Sequence, residues 1–80
     1  MADAPPGMIV KHSVMIAGHR TSISLEGIFW GALREEAARE ARSVAGLIGE
    51  IDAGRGEVNL SSAIRSWLFA RARASSAPAP

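Results

Sequence analysis

The chain has 80 residues, no cysteine and a formal net charge of +1, which allows one small domain without disulfides or thiolate zinc sites. Self-association is then the remaining way to enlarge the core, and the lack of cysteine fits a reducing cytoplasm. The sequence has neither an apolar run of about 18 residues nor a secretory signal pattern, so we expect a cytoplasmic protein without membrane association.

Both ends of the chain are rich in residues that disfavour packing. Residues 1–9 contain Pro5, Pro6 and Gly7, and residues 74–80 consist only of Ala, Ser and Pro. Segments of this composition bury too little apolar surface to stay ordered, so both are predicted to be disordered. The single folded domain is therefore predicted to span residues 10–73.

The first patterned segment runs from Val10 to Ile16 and alternates as a strand does. One face would carry Val10, His12, Val14 and Ile16, and the other would carry Lys11, Ser13 and Met15. This segment is therefore a possible extra N-terminal strand.

A second strand is predicted from Arg20 to Leu25, after a type II′ turn at Gly18-His19. This turn would place Val14 opposite Ile23, so that the apolar faces of the two strands match. The competing interpretation is one long extended arm that bends at Gly18. The outward side chains of the second strand would be Arg20, Ser22 and Ser24, and its inward side chains would be Thr21, Ile23 and Leu25.

Three amphipathic helices follow the strands. The first is predicted from Gly27 to Ala41, with apolar residues at four-residue steps. The second would be capped by Ser43 and would end at Gly54-Arg55-Gly56. The third would be capped by Asn59, with Ser61 as a weaker candidate. The third helix carries a clean apolar stripe of Leu60, Ala63, Ile64, Trp67 and Leu68. Phe69 falls off that stripe and is expected either to be exposed or to pair with another chain.

The backbone groups of a short strand need partners, and in so small a chain the same strand of a second copy is the expected one. This predicts a two-fold homodimer, with higher oligomers also open, built around an antiparallel ribbon that fits the major groove of DNA. The predicted dimer core consists of Ile23, Leu25, Phe29, Leu33, Leu47, Ile48, Ile51, Ile64 and Trp67.

No catalytic pattern is present. The sequence lacks a nucleophile elbow, a glycine-rich phosphate loop and paired carboxylates, so no enzymatic activity and no cofactor are expected. His12 and His19 have no carboxylate or cysteine near them in sequence, so we expect surface or packed histidines and no metal site.

Two segments carry a resemblance to a known family. The run from Lys11 to Glu26 and the run from Asn59 to Arg65 resemble a small bacterial ribbon-helix-helix domain, within the superfamily of the Arc and MetJ repressors. The resemblance covers about residues 10–70. It implies a mostly α fold with a short β-ribbon, namely a ribbon-helix-helix homodimer, here with a possible extra N-terminal strand and an additional C-terminal helix.

The resemblance also implies a DNA-binding site. Outward side chains of the ribbon read base edges in such repressors, and these correspond to Arg20, Ser22 and Ser24. The N-terminus of the second helix would hold a phosphate, which corresponds to Ser43, Val44 and Ala45 with Arg42 adjacent. Free N–H groups and the positive end of the helix dipole favour an anion there independently. Lys11 is a further candidate for a backbone contact.

The leading hypothesis is a sequence-specific transcriptional regulator that binds double-stranded DNA as a symmetric dimer. The alternative is a homo-oligomeric interaction module, or an antitoxin-like component, that uses the ribbon for assembly and the C-terminal helix for a protein partner. An extra strand on each side would make a four-stranded sheet about 19 Å wide, whereas the groove is about 12 Å wide. Groove entry would then require Val10–Ile16 to fold away, to bind beside the backbone, or to order differently on DNA.

Overall fold

The computed structural model describes residues 7–76, which form two strands and three helices. The elements are β1 (Ile9–Ile16), β2 (His19–Glu26), α1 (Gly27–Arg39), α2 (Val44–Gly54) and α3 (Leu60–Ser76). The predicted mostly α fold with a short β-ribbon, an extra N-terminal strand and a third helix is confirmed, and the homodimer stays a prediction. β1 begins at Ile9 and α3 continues to Ser76, so these two elements extend past the predicted domain limits at residues 10 and 73. The predicted disorder of residues 1–6 and 77–80 lies outside the described residues.

The two strands form an antiparallel hairpin, so the interpretation as one long arm is wrong. The predicted turn and register are also wrong: the turn residues are Ala17 and Gly18, and Val14 faces Thr21. Ala17 has φ 51° and Gly18 has φ 83°, and positive φ at both central residues is what a type I′ turn requires. A shift of two residues leaves every side chain on its predicted face, so alternation alone cannot distinguish the two registers.

The core lies between the inner face of the hairpin and the three helices. Leu25, Leu33, Leu47, Ile48 and Ile64 have no exposed surface, and Phe29 and Trp67 pack against them while partly buried. All nine residues of the predicted dimer core thus contribute to the core of one chain, and their contact with a second copy stays a prediction. The predicted core did not include four residues that are buried, which are Ile16, Trp30, Ala37 and Leu68.

The predicted caps of α2 and α3 are confirmed. The Ser43 hydroxyl accepts a hydrogen bond from the backbone N–H of Gly46 at 2.9 Å. The side-chain oxygen of Asn59 accepts one from the N–H of Ser62 at 3.2 Å. Each bond satisfies a donor that the helix itself leaves unpaired.

The first helix ends at Arg39, two residues before the predicted end at Ala41. Ala41 has φ 54°, the N–H of Arg42 donates to the carbonyl of Ala37 at 2.8 Å, and the N–H of Ala41 donates to that of Ala38 at 3.2 Å. These two bonds around a left-handed residue are a Schellman motif. Glycine usually occupies that position. Because alanine is a strong helix former, Ala41 gave no sign in the sequence that the helix ends before it.

Ala41→Gly is expected to raise the free energy of unfolding by about 0.5–1 kcal/mol, because glycine has no Cβ penalty in the left-handed region. Urea denaturation followed by tryptophan fluorescence measures the change. The matched control is Ala70→Gly, at an exposed position in the interior of α3, which should lower the same quantity by about 1 kcal/mol. A destabilising Ala41→Gly would show that the helix does not end in this motif.

Candidate nucleic-acid interface

The outward face of β2 carries the three residues that were predicted to contact bases. Arg20, Ser22 and Ser24 are exposed, whereas Ile23 and Leu25 between them are 2% and 0% exposed. This follows from strand geometry, in which successive side chains point to opposite faces, with one face packed on the helices. The structure therefore brings the three predicted side chains together on one open surface.

The first strand extends this surface on one side. Lys11 pairs across the hairpin with Ser24, Ser13 pairs with Ser22, and Met15 pairs with Arg20. All three β1 side chains are exposed, with Met15 at 54%. The alternation of β1 already placed Ser13 and Met15 beside Lys11, but the sequence analysis gave neither of them a role.

The inner face of β1 is held against α1 by Trp30. The indole Nε1 of Trp30 donates to the carbonyl oxygen of Val10 at 2.9 Å, and its ring meets that of His12 edge-to-face with centroids 4.7 Å apart. Trp30 is 4% exposed, so this hydrogen bond satisfies a buried donor. His12 therefore faces the helix side. Within residues 7–76, no group of three or more His, Asp or Glu side chains could hold a metal ion.

The outer edge of β2 is in contact with the start of α3. The N–H of Gly27 donates to the carbonyl of Met8 at 2.9 Å. In an antiparallel pair, hydrogen-bonded and non-hydrogen-bonded residue pairs alternate, so this bond and the two-residue turn place Ser22 and Ser24 in pairs that exchange no backbone hydrogen bonds with β1. Backbone groups of Ser22 and Ser24 then point to the opposite, outer edge. There the Ser61 hydroxyl donates to the Ser24 carbonyl at 2.7 Å.

An ion pair also links the end of β2 to α3. The Nε of Arg65 on α3 lies 2.8 Å from a carboxylate oxygen of Glu26, at the end of β2. The hydrogen bond from Arg65 lowers the pKa of the Glu26 carboxyl from its ordinary value. Both side chains are partly exposed, so solvent screens the pair and it contributes mainly to the position of α3. The positive charge of Arg65 thus lies next to the negative charge of Glu26 beside the outward face.

The first turn of α2 offers backbone donors. Val44 and Ala45 lie one and two residues after the Ser43 cap, where an α-helix leaves N–H groups without internal partners. Within residues 7–76, neither of these two N–H groups donates a hydrogen bond. The three predicted phosphate-contacting residues are therefore together at one helix end.

Arg42, the fourth residue predicted near that phosphate, is engaged within the chain. Its guanidinium lies 2.6 Å from a carboxylate oxygen of Glu50 and 3.4 Å from one of Glu40, and it donates to the carbonyl of Gly46 at 3.1 Å. Arg71 lies 2.7 Å from Glu40, and this hydrogen bond is the main reason why the pKa of the Glu40 carboxyl is lowered. Arg42 would have to leave Glu50 to meet a phosphate.

An apolar groove runs between α1 and α3, on helix faces that the hairpin does not cover. Phe29, Ala32, Leu68 and Ala72 line it, together with Ile28 and Phe69. Ile28 is 58% exposed and Phe69 is 63% exposed, which confirms the prediction that Phe69 lies off the buried stripe.

Comparison with known proteins identifies the fold family. A family model described as a ribbon-helix-helix domain matches residues 9–72. The chain belongs to the ribbon-helix-helix domain family. No curated protein and no solved structure matches it significantly.

The match to the ribbon-helix-helix family covers all of β1 and most of α3. Both elements outside the strand–helix–helix unit are thus part of the matched domain. Ribbon-helix-helix proteins are typically DNA-binding regulators that dimerise and are not enzymes. Within residues 7–76, none of the helices is both long and apolar enough to cross a membrane.

Proposed function

We infer that this ribbon-helix-helix protein is a cytoplasmic, sequence-specific transcriptional regulator that binds double-stranded DNA as a symmetric dimer. The observation that carries the proposal is the outward face of β2, on which Arg20, Ser22 and Ser24 are exposed together. An arginine can donate two hydrogen bonds to the O6 and N7 atoms of guanine, and serine hydroxyls can donate to or accept from base edges. In this proposal Arg20 supplies most of the base discrimination.

Phosphate contacts would set the position of the ribbon in the groove. The unpaired first-turn N–H groups of Val44 and Ala45, beside the Ser43 cap, would bind one phosphate at the positive end of the α2 dipole. Lys11 would bind another from β1. Arg42 would join them only by exchanging Glu50 for the phosphate, so its contribution is the smallest of the set.

The proposal predicts a steep fall of DNA affinity with salt, because each neutralised phosphate releases counterions. For Lys11→Ala, the slope of log K against log salt concentration should become shallower by about one for each Lys11 that contacts a phosphate. Fluorescence anisotropy of a labelled duplex across a salt series measures this slope.

The matched control for that experiment is Arg34→Ala, which removes one exposed cation from α1 and none from the hairpin. It should leave the slope nearly unchanged. If wild-type binding is weak and almost independent of salt, the chain does not bind DNA through its backbone and the proposed function is wrong.

The apolar groove between α1 and α3 supports a second candidate, a homo-oligomeric interaction module whose C-terminal helix contacts a protein. Exposed aromatic and aliphatic side chains in one groove are typical of a protein-binding surface. Under this function, Phe69→Ala would weaken assembly or partner binding while DNA binding would be weak and insensitive to salt.

A further inference from the structure

Beyond its contact with Ser61, the outer edge of β2 is open. The backbone groups of Ser22 and Ser24 point to this edge, and within residues 7–76 only the Ser24 carbonyl accepts a hydrogen bond there, from Ser61 at 2.7 Å. An open cleft of about 450 Å³ borders the edge at Thr21, Ser22 and Ile23. Unpaired strand groups favour the addition of another strand, and the same strand of a second copy would satisfy them symmetrically.

Pairing through β2 puts the two β1 strands on the outside of a four-stranded sheet. Since strands lie about 4.8 Å apart, the two β2 strands would lie about 2.4 Å from the two-fold axis and the two β1 strands about 7.2 Å from it. The major groove is about 12 Å wide, so its walls are about 6 Å from its centre. The β2 strands then fit between the walls, and each β1 strand lies over one wall, where the phosphates are.

The outward side chains of β1 suit this position. Lys11 and Ser13 are exposed and lie opposite Ser24 and Ser22 of β2, so they stand beside the residues that would contact bases. An ammonium group and a hydroxyl can both donate to phosphate oxygens. No carboxylate occurs from residue 11 to residue 25, so nothing in this part of the sequence repels a phosphate. Met15 carries no group that binds a phosphate.

We propose that β1 contacts the sugar–phosphate backbone on both sides of the major groove while β2 reads the bases, with Ser13 as a phosphate-binding residue beside Lys11. This inference rests on the proposed function. It gives the outermost strand of the sheet the task of positioning the inner ones. The two-fold axis places one Lys11 and one Ser13 on each wall of the groove.

The test uses the full chain, the duplex that it selects from a random pool, and an unrelated duplex. Because a phosphate contact carries no sequence information, Ser13→Ala should weaken binding to both duplexes by the same factor, about tenfold, and should select the same bases. The slope of log K against log salt concentration should change little, since serine is uncharged. Ser13 is exposed, so the free energy of unfolding should not change.

Two further variants make this result specific. Ser22→Ala is the β2 comparison and should change the selected bases. Ser66→Ala, at an exposed position of α3, is the control and should change neither the affinity nor the selected bases.

A second readout does not depend on affinity. The chain has no cysteine, so Ser13→Cys, Ser22→Cys and Ser66→Cys each introduce a unique thiol. One duplex carries a thiol tether on a backbone phosphate at the edge of the major groove, and another carries it on a base within the groove. Ser13→Cys should form a disulfide with the phosphate tether, Ser22→Cys with the base tether, and Ser66→Cys with neither.

Two results overturn the inference while the proposed function stands. If Ser13→Ala changes the selected bases, or if Ser13→Cys cross-links more readily to the base tether, β1 lies inside the groove. If Ser13→Ala changes the affinity for neither duplex and Ser13→Cys cross-links to neither tether, β1 lies away from the DNA. If the wild-type chain selects no sequence, the proposed function itself fails, and the inference fails with it.

Discussion

Leu33→Ala is expected to lower the free energy of unfolding by about 2–5 kcal/mol, because it removes a fully buried side chain and leaves a cavity. Leu33 is 0% exposed in the centre of α1 and belongs to the core cluster shared by hairpin and helices. Domains of this size have little stability to spare, so the variant should be largely unfolded near physiological temperature. Urea denaturation followed by the fluorescence of Trp30 and Trp67 measures the loss.

The matched control is Ile28→Ala on the same helix, where the side chain is 58% exposed. It should cost less than about 1 kcal/mol in an isolated chain. A cost equal to that of Leu33→Ala, and dependent on protein concentration, would show that a second copy covers this end of α1. A loss below about 1 kcal/mol for Leu33→Ala would contradict the described core.

Arg20→Ala is expected to weaken binding to the selected DNA sequence by about 1–3 kcal/mol and to relax the preference at one base pair. Arg20 is the cation on the outward face of β2, opposite Met15, and its guanidinium makes no ion pair within residues 7–76. The affinity for an unrelated duplex should fall less, because only the attraction of one positive charge to the phosphates is lost. Anisotropy titrations with the selected and the unrelated duplex separate the two effects.

Arg34→Ala is again the control for charge alone, because Arg34 is exposed on α1 and lies outside the hairpin. It should change neither the affinity for the selected sequence nor the base preference. If Arg20→Ala behaves like Arg34→Ala, Arg20 does not read a base, and the assignment of the site must move to other residues of the outward face.

Periodicity predicted the elements of this fold because each buried face has a clear repeat. The alternation of Ile23 and Leu25 predicted β2, and the spacing of Leu47, Ile48 and Ile51 predicted α2. The caps at Ser43 and Asn59 were predictable because their side chains are chemically suited to unpaired helix donors.

Two alanines in left-handed conformation account for the errors at the turn and at the end of α1. Ala17 and Ala41 have φ 51° and 54°, in positions where glycine or asparagine is usual. Alanine gives no local signal for such a conformation, which here accompanies the strand pairing on either side of Ala17 and the two hydrogen bonds around Ala41. The turn was therefore predicted one residue too late in the chain, and the predicted end of α1 was two residues too late.

The candidate site was predictable only in part. The outward face of β2 follows from alternation, so Arg20, Ser22 and Ser24 could be named. Two contacts depend on how the elements pack together. Arg42 and Glu50 are 8 positions apart in the sequence, and Ser24 and Ser61 are 37 positions apart. No local pattern encodes such contacts. The position of Ser13 and Met15 on the same face as Arg20 and Ser22 depends on the pairing of β1, which the sequence left open.

The central claim is that this ribbon-helix-helix protein reads DNA sequence. The most direct measurement is selection from a random duplex pool at two salt concentrations, followed by sequencing of the bound fraction. The account predicts enrichment of a two-fold symmetric motif whose binding weakens as salt increases. Absence of any enriched motif, with little DNA retained even at low salt, would contradict it and would favour an interaction module that uses the α1–α3 groove.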